Sequence, residues 1–187
     1  MKYQSNQFSQ KYENASFEIF LTSSYDNDIV EGDIDFFDYI YKDDMQIKNN
    51  LAKINFFVFN TYDLKDMVLL ADYVSSDLEY VASAYSIYSN EVGGIGSIAI
   101  IDEFNLTDNS KDYYERIQII KYLLAKTIEK LQIIGIGTLL FMSKALILNL
   151  NEPERILLIN ELLDINTIPI YQDANDVVLA RNLDYIV

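Results

Sequence analysis

The chain has 187 residues, of which 50% are apolar and 13% aromatic, and its formal net charge is −15. This length and apolar content predict one domain with a sizeable core, spanning residues 1–187. There is no Cys and no His, which excludes Cys and His nucleophiles, the Ser-His-Asp triad and zinc sites built from thiolates or imidazoles. The absence of disulfides suits a reducing compartment, and we expect the protein in the cytoplasm.

The negative charge is uneven along the chain. Residues 1–50 form an acidic N-terminal part with 10 acidic and 4 basic side chains, whereas residues 101–150 hold 6 of each. Such a field repels nucleic acid and anionic lipid, so we expect a basic protein as partner and no direct nucleic-acid binding. Solubility alone explains the charge equally well. The most apolar run, Ile133 to Met142, is shorter than the roughly 20 residues that a membrane span needs.

Periodic apolar residues predict the elements in chain order. We expect strands at 16–22, 53–60, 97–106, 138–142 and 176–182, and helices at 33–41, 64–88, from Asn109 or Ser110 to Gly135, and at 154–163. Asn109 or Ser110 is the expected cap of the third helix, and Pro153 the expected start of the last. This order predicts an α/β (α+β) fold, with a mixed central sheet flanked by helices on both faces.

Two short motifs carry a family resemblance. Residues 71–78 read Ala-Asp-Tyr-Val-Ser-Ser-Asp-Leu, and residues 101–106 read Ile-Asp-Glu-Phe-Asn-Leu. A helix with Asp-x-x-Ser-x-Asp-Leu before a strand with an Ile-Asp pair resembles a subgroup of the Gcn5-related N-acetyltransferase (GNAT) class. The resemblance spans residues 51–187 in its order of elements, and it implies a GNAT-like sheet.

The stretch that holds the cofactor in GNAT enzymes departs from the family pattern here. Those enzymes open the helix after the central strand with Arg/Gln-x-x-Gly-x-Gly/Ala, whose backbone amides bind the pyrophosphate of acetyl-CoA. Aligned on the downstream leucine pair, this chain has Arg116, Gln118 and Ile120 there, so we expect no cofactor. In the alternative in which the protein is an enzyme, Lys111 and Arg116 replace some of the amide contacts to acetyl-CoA.

The resemblance also implies a general base on the strand at 97–106, where Asp102 and Glu103 are the candidates. A carboxylate at this place takes a proton from an amine, directly or through water. Strand alternation predicts that the two side chains point to opposite faces, so that only one of them faces a cleft. The other interpretation is an exposed or structurally bonded carboxylate without a catalytic role.

Acidic side chains are densest between residues 26 and 44. They are Asp26, Asp28, Glu31, Asp33, Asp35, Asp38, Asp43 and Asp44. The spacing departs from a calcium loop at its fifth and sixth positions, Val30 and Glu31, and we expect no metal. A binding surface for a basic partner, including mimicry of a phosphate backbone, is one interpretation, and a solvated acidic loop is the other.

Tyrosines are frequent in the first half of the chain, and tyrosine is enriched at protein interfaces. The cluster comprises Tyr39, Tyr41, Tyr73, Tyr80, Tyr85 and Tyr88.

Three functional hypotheses stay open. The first is a non-catalytic GNAT-like protein that binds a partner through an acidic, tyrosine-rich surface, as an inhibitor of or decoy for a nucleic-acid-binding protein. The second is an acyl-CoA-dependent N-acetyltransferase with an atypical cofactor loop, and the third is a homodimeric assembly protein.

Overall fold

The computed structural model describes residues 12, 14–24, 28–61, 63–92, 96–108, 112–147, 151–174 and 176–183. Seven strands occur in these residues: β1 (Ser16–Ser24), β2 (Ile29–Lys42), β3 (Met45–Phe59), β4 (Ser97–Leu106), β5 (Ile136–Met142), β6 (Ile168–Gln172) and β7 (Val177–Asn182). The helices are α1 (Leu64–Val74), α2 (Ser76–Val92), α3 (Tyr113–Ile133), the short α4 (Ser143–Leu146) and α5 (Glu152–Leu163).

The seven strands form one mixed sheet in the order β1-β2-β3-β4-β5-β7-β6. Neighbouring strands are antiparallel except for β4 and β5, which run parallel and are joined by α3. A parallel pair needs such a crossover, because a hairpin turn returns the chain antiparallel. The mixed sheet that the sequence predicted is therefore confirmed.

Helices cover both faces of the sheet. On one face, α3 and α5 pack their apolar sides on a core that includes Phe36, Phe56 and Phe141. On the other face, α1 and α2 pack on a smaller core around Phe59 and Ile100. Strand β5 is buried over its whole length, as a strand between two helical layers must be.

The prediction of a helix at 33–41 was wrong, because these residues belong to β2. The apolar spacing of Phe36, Phe37, Ile40 and Tyr41 fits a helix, and Asp is uncommon in strands. Pairing with β1 and β3 buries Ile34 and Phe36 on one face of β2. That alternation, with a period of two residues, overrides the helical spacing because it gives the strand a buried side.

A tight turn closes the β2–β3 hairpin. Asp43 and Asp44 both have positive φ, 51° and 62°, between the paired residues Lys42 and Met45. Two left-handed residues define the type I′ turn, whose twist matches that of the strands, and Asp tolerates this conformation better than most residues do. Most of the acidic segment 26–44 is therefore strand β2, and Asp43 and Asp44 form a two-residue turn at the end of a long hairpin.

The remaining elements differ from expectation mainly at their ends. The predicted helix at 64–88 is interrupted at Ser75, which ends α1. The N-cap of α3 is Asp112, while the expected caps Asn109 and Ser110 lie outside the described residues. Strand β6 was missed because it is short and contains Pro169, which favours edge strands. No helix in the described part of the chain is long and apolar enough to cross a bilayer.

Candidate functional site

A cleft opens where the two parallel strands diverge. Strand β4 pairs with β5 only as far as Ile101 opposite Phe141. Beyond that pair β4 continues alongside β3 to Leu106, whereas the chain after Met142 turns into α4. The carboxyl ends of parallel strands that separate in this way are a common place for ligand clefts in α/β folds.

The cleft has a volume of about 490 Å³ and mixes charges of both signs. Its charged lining residues are Asp77, Asp102, Glu103, Arg116 and Lys144. They come from the start of α2, the second half of β4, the second turn of α3 and α4. Lys144 Nζ lies 2.8 Å from Asp77 Oδ1, so one cation and one carboxylate of the cleft are already paired.

A β-bulge brings both predicted base candidates to this cleft. Asn55 of β3 pairs with Glu103, but its neighbour Phe56 pairs with Ile101, so Asp102 is the extra residue of β4. The bulge interrupts the alternation of side chains. The prediction that only one of Asp102 and Glu103 faces a cleft was therefore wrong, because both line it.

The pKa of the Asp102 carboxyl group is raised above its ordinary value. Partial burial is the first cause that raises its pKa, followed by the negative charges of Glu103, Asp77 and Glu31. A carboxyl group with a raised pKa is a stronger base than an ordinary one, and such groups concentrate at functional sites. The ionised form of Asp102 consequently destabilises the folded protein.

We expect Asp102→Asn to stabilise the protein at neutral pH by about 0.5 kcal/mol, since the side chain is partly solvated. The pKa of Asp102 is raised in the folded state, so ionisation of Asp102 lowers the folding stability by its full amount only above that pKa. This cost disappears as the pH falls below the unfolded-state value. Urea unfolding at pH 7 and at about pH 3 measures this difference. Asp72→Asn on the exposed side of α1 is the control, and an equal gain there would contradict the prediction.

The N-terminus of α3 is occupied by the chain's own carboxylates. Asp112 accepts a hydrogen bond from the backbone N–H of Glu115 at 2.9 Å, and Glu115 itself lies in the first turn. Arg116, Gln118 and Ile120, which align with the glycine-bearing turn of GNAT enzymes, lie in α3 after its first three residues. Acidic groups at a helix N-terminus take the position that a bound anion would use.

Arg116 is the one cation of the cleft that α3 supplies. Its Nε atom is buried and has no hydrogen-bond partner within the described residues. The other residue suggested for cofactor contacts, Lys111, lies outside them. A guanidinium at this position favours an anionic group in the cleft, next to the carboxylates of β4.

A buried carboxylate that the sequence analysis missed holds the α4 wall of the cleft. Asp176, 4% exposed, accepts hydrogen bonds from the Ser143 hydroxyl, from the Lys144 N–H at 3.2 Å and from the Val177 N–H at 2.8 Å. Its own N–H donates to Asp173 at 2.9 Å. These bonds tie the start of β7 to the end of β5, and so fix the backbone that carries Lys144.

Next to the cleft, one face of β1–β3 carries an acidic surface. Side chains of paired residues share a face, which places Glu18 beside Asp35, and Asp33 beside Asn55, whose partner on β4 is Glu103. We define the acidic face as Glu18, Glu31, Asp33, Asp35, Asp102 and Glu103. Helices α1 and α2 reach this side of the sheet at Ile29 and Phe59, while Glu18, Glu31 and Glu103 are exposed.

Two lysines lie on the acidic face. Lys48 Nζ is 2.6 Å from Glu18 Oε2 and 4.1 Å from the centre of the Phe37 ring. Lys53 Nζ is 3.2 Å from Asp33 Oδ1, which also accepts a hydrogen bond from Asn55. The face therefore binds ammonium groups of its own chain through carboxylates and an aromatic ring.

The eight predicted partner-binding acids do not form one surface. Glu31, Asp33 and Asp35 lie together on the acidic face. Asp38 points to the opposite face of β2, where it accepts a hydrogen bond from Asn49 at 2.6 Å. The others are Asp43 and Asp44 in the hairpin turn, Asp28 before β2, and Asp26, which lies outside the described residues.

The tyrosines predicted at an interface are also dispersed. Tyr85 is buried, Tyr80 donates a hydrogen bond to Asp173 at 2.7 Å, and Tyr88 packs on Tyr171. Tyr39, Tyr41 and Tyr73 are exposed, the first two on the β2–β3 hairpin. The hairpin is thus the part of the tyrosine cluster that offers exposed rings close to the acidic face.

Within the described ranges, no three acidic side chains converge closely enough to hold a metal ion. No family model matches the sequence. No curated protein is significantly similar to it either.

Proposed function

We propose that the protein is a non-catalytic GNAT-like protein that binds a basic protein partner through the acidic face. An inhibitor of or decoy for a nucleic-acid-binding protein is the form of this function that the charge favours. Proteins that bind nucleic acid present lysine- and arginine-rich surfaces. An acidic sheet face competes for such a surface with the phosphate backbone.

The observation that carries the proposal is the open acidic face itself. Alternate residues of a strand are about 6.7 Å apart, and neighbouring strands about 4.8 Å. Glu31, Asp33 and Asp35 therefore repeat along β2, with Glu18 on the neighbouring strand β1 and Glu103 on β4, on the far side of β3. A face of like charges costs folding free energy. At Asp102, the negative charges of Glu103 and Glu31 add to the partial burial that raises the pKa of its carboxyl group. Binding of a basic partner removes the repulsion.

The side chains at the start of α3 support a function without acetyl-CoA. A pyrophosphate there would meet Asp112 and Glu115, and its binding would have to displace the hydrogen bond between them. Like charges brought together at a binding site cost several kcal/mol. The intrinsic anion affinity of a helix N-terminus is much smaller, about 0.3–1 kcal/mol per charge.

The test compares two variants with the same net charge. Glu31→Lys/Glu103→Lys alters the acidic face, and Asp72→Lys/Glu129→Lys alters exposed acids on α1 and α3. The probe is a fluorescein-labelled peptide of ten lysines, measured by fluorescence anisotropy at low salt. We expect the first variant to weaken binding at least about tenfold, and the second less than about threefold.

Equal losses in the two variants would mean that affinity follows net charge alone, and the acidic face would then have no special role. Thermal unfolding of both variants shows whether each is folded. The Lys substitutions remove repulsion near Asp102, so the first variant is expected to be at least as stable as the wild type.

One observation favours a second candidate, an N-acyltransferase with an atypical cofactor site. The cleft joins Arg116, which attracts an anionic group, to Asp102, a carboxylate with raised pKa that suits a general base. Calorimetry with acetyl-CoA distinguishes the candidates. Micromolar binding that is lost in Arg116→Ala would replace the first proposal by this one.

A further inference from the structure

The end of the β2–β3 hairpin extends beyond the rest of the sheet. Strand β1 pairs with β2 only as far as Phe37, and β4 pairs with β3 only from Ala52. We call residues 38–49 the arm. Its large apolar side chains are Tyr39, Ile40, Tyr41, Met45 and Ile47, between 39% and 78% exposed. A two-stranded ribbon with so much exposed apolar surface is marginal in water by itself.

The outer edge of the arm on β2 is open within the described part of the chain. Residue 15 precedes β1 and is buried with Tyr12 in the core under α3. Tyr12 and residue 15 therefore lie under the sheet, and neither lies beside β2. No described strand pairs with residues 38–42 at this edge, so the N–H and C=O groups that face it can pair with another strand.

The turn determines which backbone groups face outward. In a hairpin with a two-residue type I′ turn, the flanking residues, here Lys42 and Met45, bond to each other through both their N–H and C=O groups. Bonding alternates along the strand, so Ile40 also bonds towards β3. The backbone groups of Tyr39 and Tyr41 consequently point to the outer edge.

The sequence of this edge is complementary to itself. Residues 38–42 read Asp-Tyr-Ile-Tyr-Lys. In an antiparallel pair centred on Ile40, Asp38 lies opposite Lys42 of the second copy, and Tyr39 opposite Tyr41 of the second copy. Opposite charges and aromatic rings are the cross-strand pairs that stabilise a ladder. The outward backbone groups of the two tyrosines fall into register as hydrogen-bonded pairs.

We propose that the protein forms a two-fold symmetric dimer in which the β2 edges of the two arms pair about Ile40. The arm carries two lysines and three aspartates, so it is close to neutral, while the whole chain has a net charge of −15. Two such chains meet at the arm with less repulsion than at the acidic face. The dimer contact is isologous, as a two-fold axis requires.

The axis is perpendicular to the joined sheet, because paired residues share a face. Both acidic faces then lie on the same side of one continuous sheet. This dimer does not depend on the proposed function, but it would let two acidic faces bind one basic partner together.

A charge-swap series tests the dimer by sedimentation equilibrium. We expect the wild type to be dimeric at about 50 µM. Asp38→Lys and Lys42→Asp, each alone, place like charges opposite each other twice in the dimer. We expect each to raise the dissociation constant about tenfold or more, and the double variant to return it to within about threefold of the wild type.

The double variant still lacks the hydrogen bond between Asn49 and Asp38, so its recovery cannot come from restoring the arm itself. Asp72→Lys on α1 changes the net charge as Asp38→Lys does, and should leave the dimer intact. A wild type that is monomeric at about 1 mM would overturn the proposal. So would a double variant that dimerises no better than the single ones.

Proline at an outward position gives an independent test. Tyr41→Pro removes an N–H that faces the outer edge and no bond to β3, and edge strands tolerate proline there. We expect a folded monomer whose circular dichroism and melting temperature resemble those of the wild type. Tyr41→Phe keeps the N–H and the ring, and should remain dimeric. A dimer that persists in Tyr41→Pro rules out pairing through this edge.

Discussion

Gly32→Ala should destabilise the protein by about 3 kcal/mol, although alanine is normally the better strand residue. Gly32 lies opposite Phe56, whose ring is fully buried and covers the glycine. A Cβ atom at position 32 would lie 2.2 Å from Cζ of that ring. The ring cannot move away because the core under α3 and α5 surrounds it, so the strain must spread into β2 and β3.

A double-mutant cycle isolates this contact. In a Phe56→Leu background the side chain over residue 32 is smaller, and the added methyl group has room. We expect Gly32→Ala to cost less than about 1 kcal/mol there, measured by urea unfolding. A loss as large as in the wild-type background would show that backbone conformation, and not the ring, requires glycine at this position.

Asp176→Ala should cost about 3–4 kcal/mol, because it removes the acceptor of three hydrogen bonds at a buried site. The Ser143 hydroxyl and the N–H groups of Lys144 and Val177 would lose their partner. The backbone that leads from β5 into α4 would then be held less firmly. Urea unfolding measures the loss.

Asp176→Asn is the matched variant for this prediction. Its side-chain oxygen can still accept the bonds that Oδ1 accepts, whereas Oδ2 is buried with no hydrogen-bond partner within the described residues. We therefore expect the asparagine variant to lose no more than about 1 kcal/mol. If it is as unstable as the alanine variant, the negative charge of Asp176 contributes more than its geometry does.

Partner binding and dimerisation are proposed to use different ends of β2. Residues 31–35 contribute carboxylates to the acidic face, and residues 38–42 form the dimer edge. Their tests are independent, because Glu31→Lys/Glu103→Lys leaves the arm unchanged and the charge swap leaves the acidic face unchanged. Glu31→Lys/Glu103→Lys should give a dimer with two weakened acidic faces, and Asp38→Lys should give a monomer whose acidic face is intact.

The sequence was most informative where local pattern and tertiary position agree. Strand β4 was predicted at its observed bounds, 97–106, and the apolar run of β5 identified a strand buried on both sides. The long α3 followed from apolar residues at helical spacing. In these elements the apolar pattern alone identifies the residues that face the core, and the neighbouring elements do not change that assignment.

The acidic segment and the cleft could not be predicted in this way. Residues 33–41 satisfy a helical and an extended pattern, and pairing with β1 and β3 selects the extended one. The position of Asp102 depends on a bulge, and a bulge is a property of the register between β3 and β4. The sequence of either strand alone does not specify that register.

The sequence by itself determined the charge, the exclusion of cysteine and histidine chemistry, and the alternation of strands and helices in a mixed sheet. Tertiary structure decided which carboxylates share a surface, that Asp102 and Glu103 face one cleft, and that the segment 38–42 is an open edge. The physical reason is the distance along the chain over which each effect acts. Composition and periodicity act within one element, whereas surfaces, clefts and edges depend on which strand lies beside which.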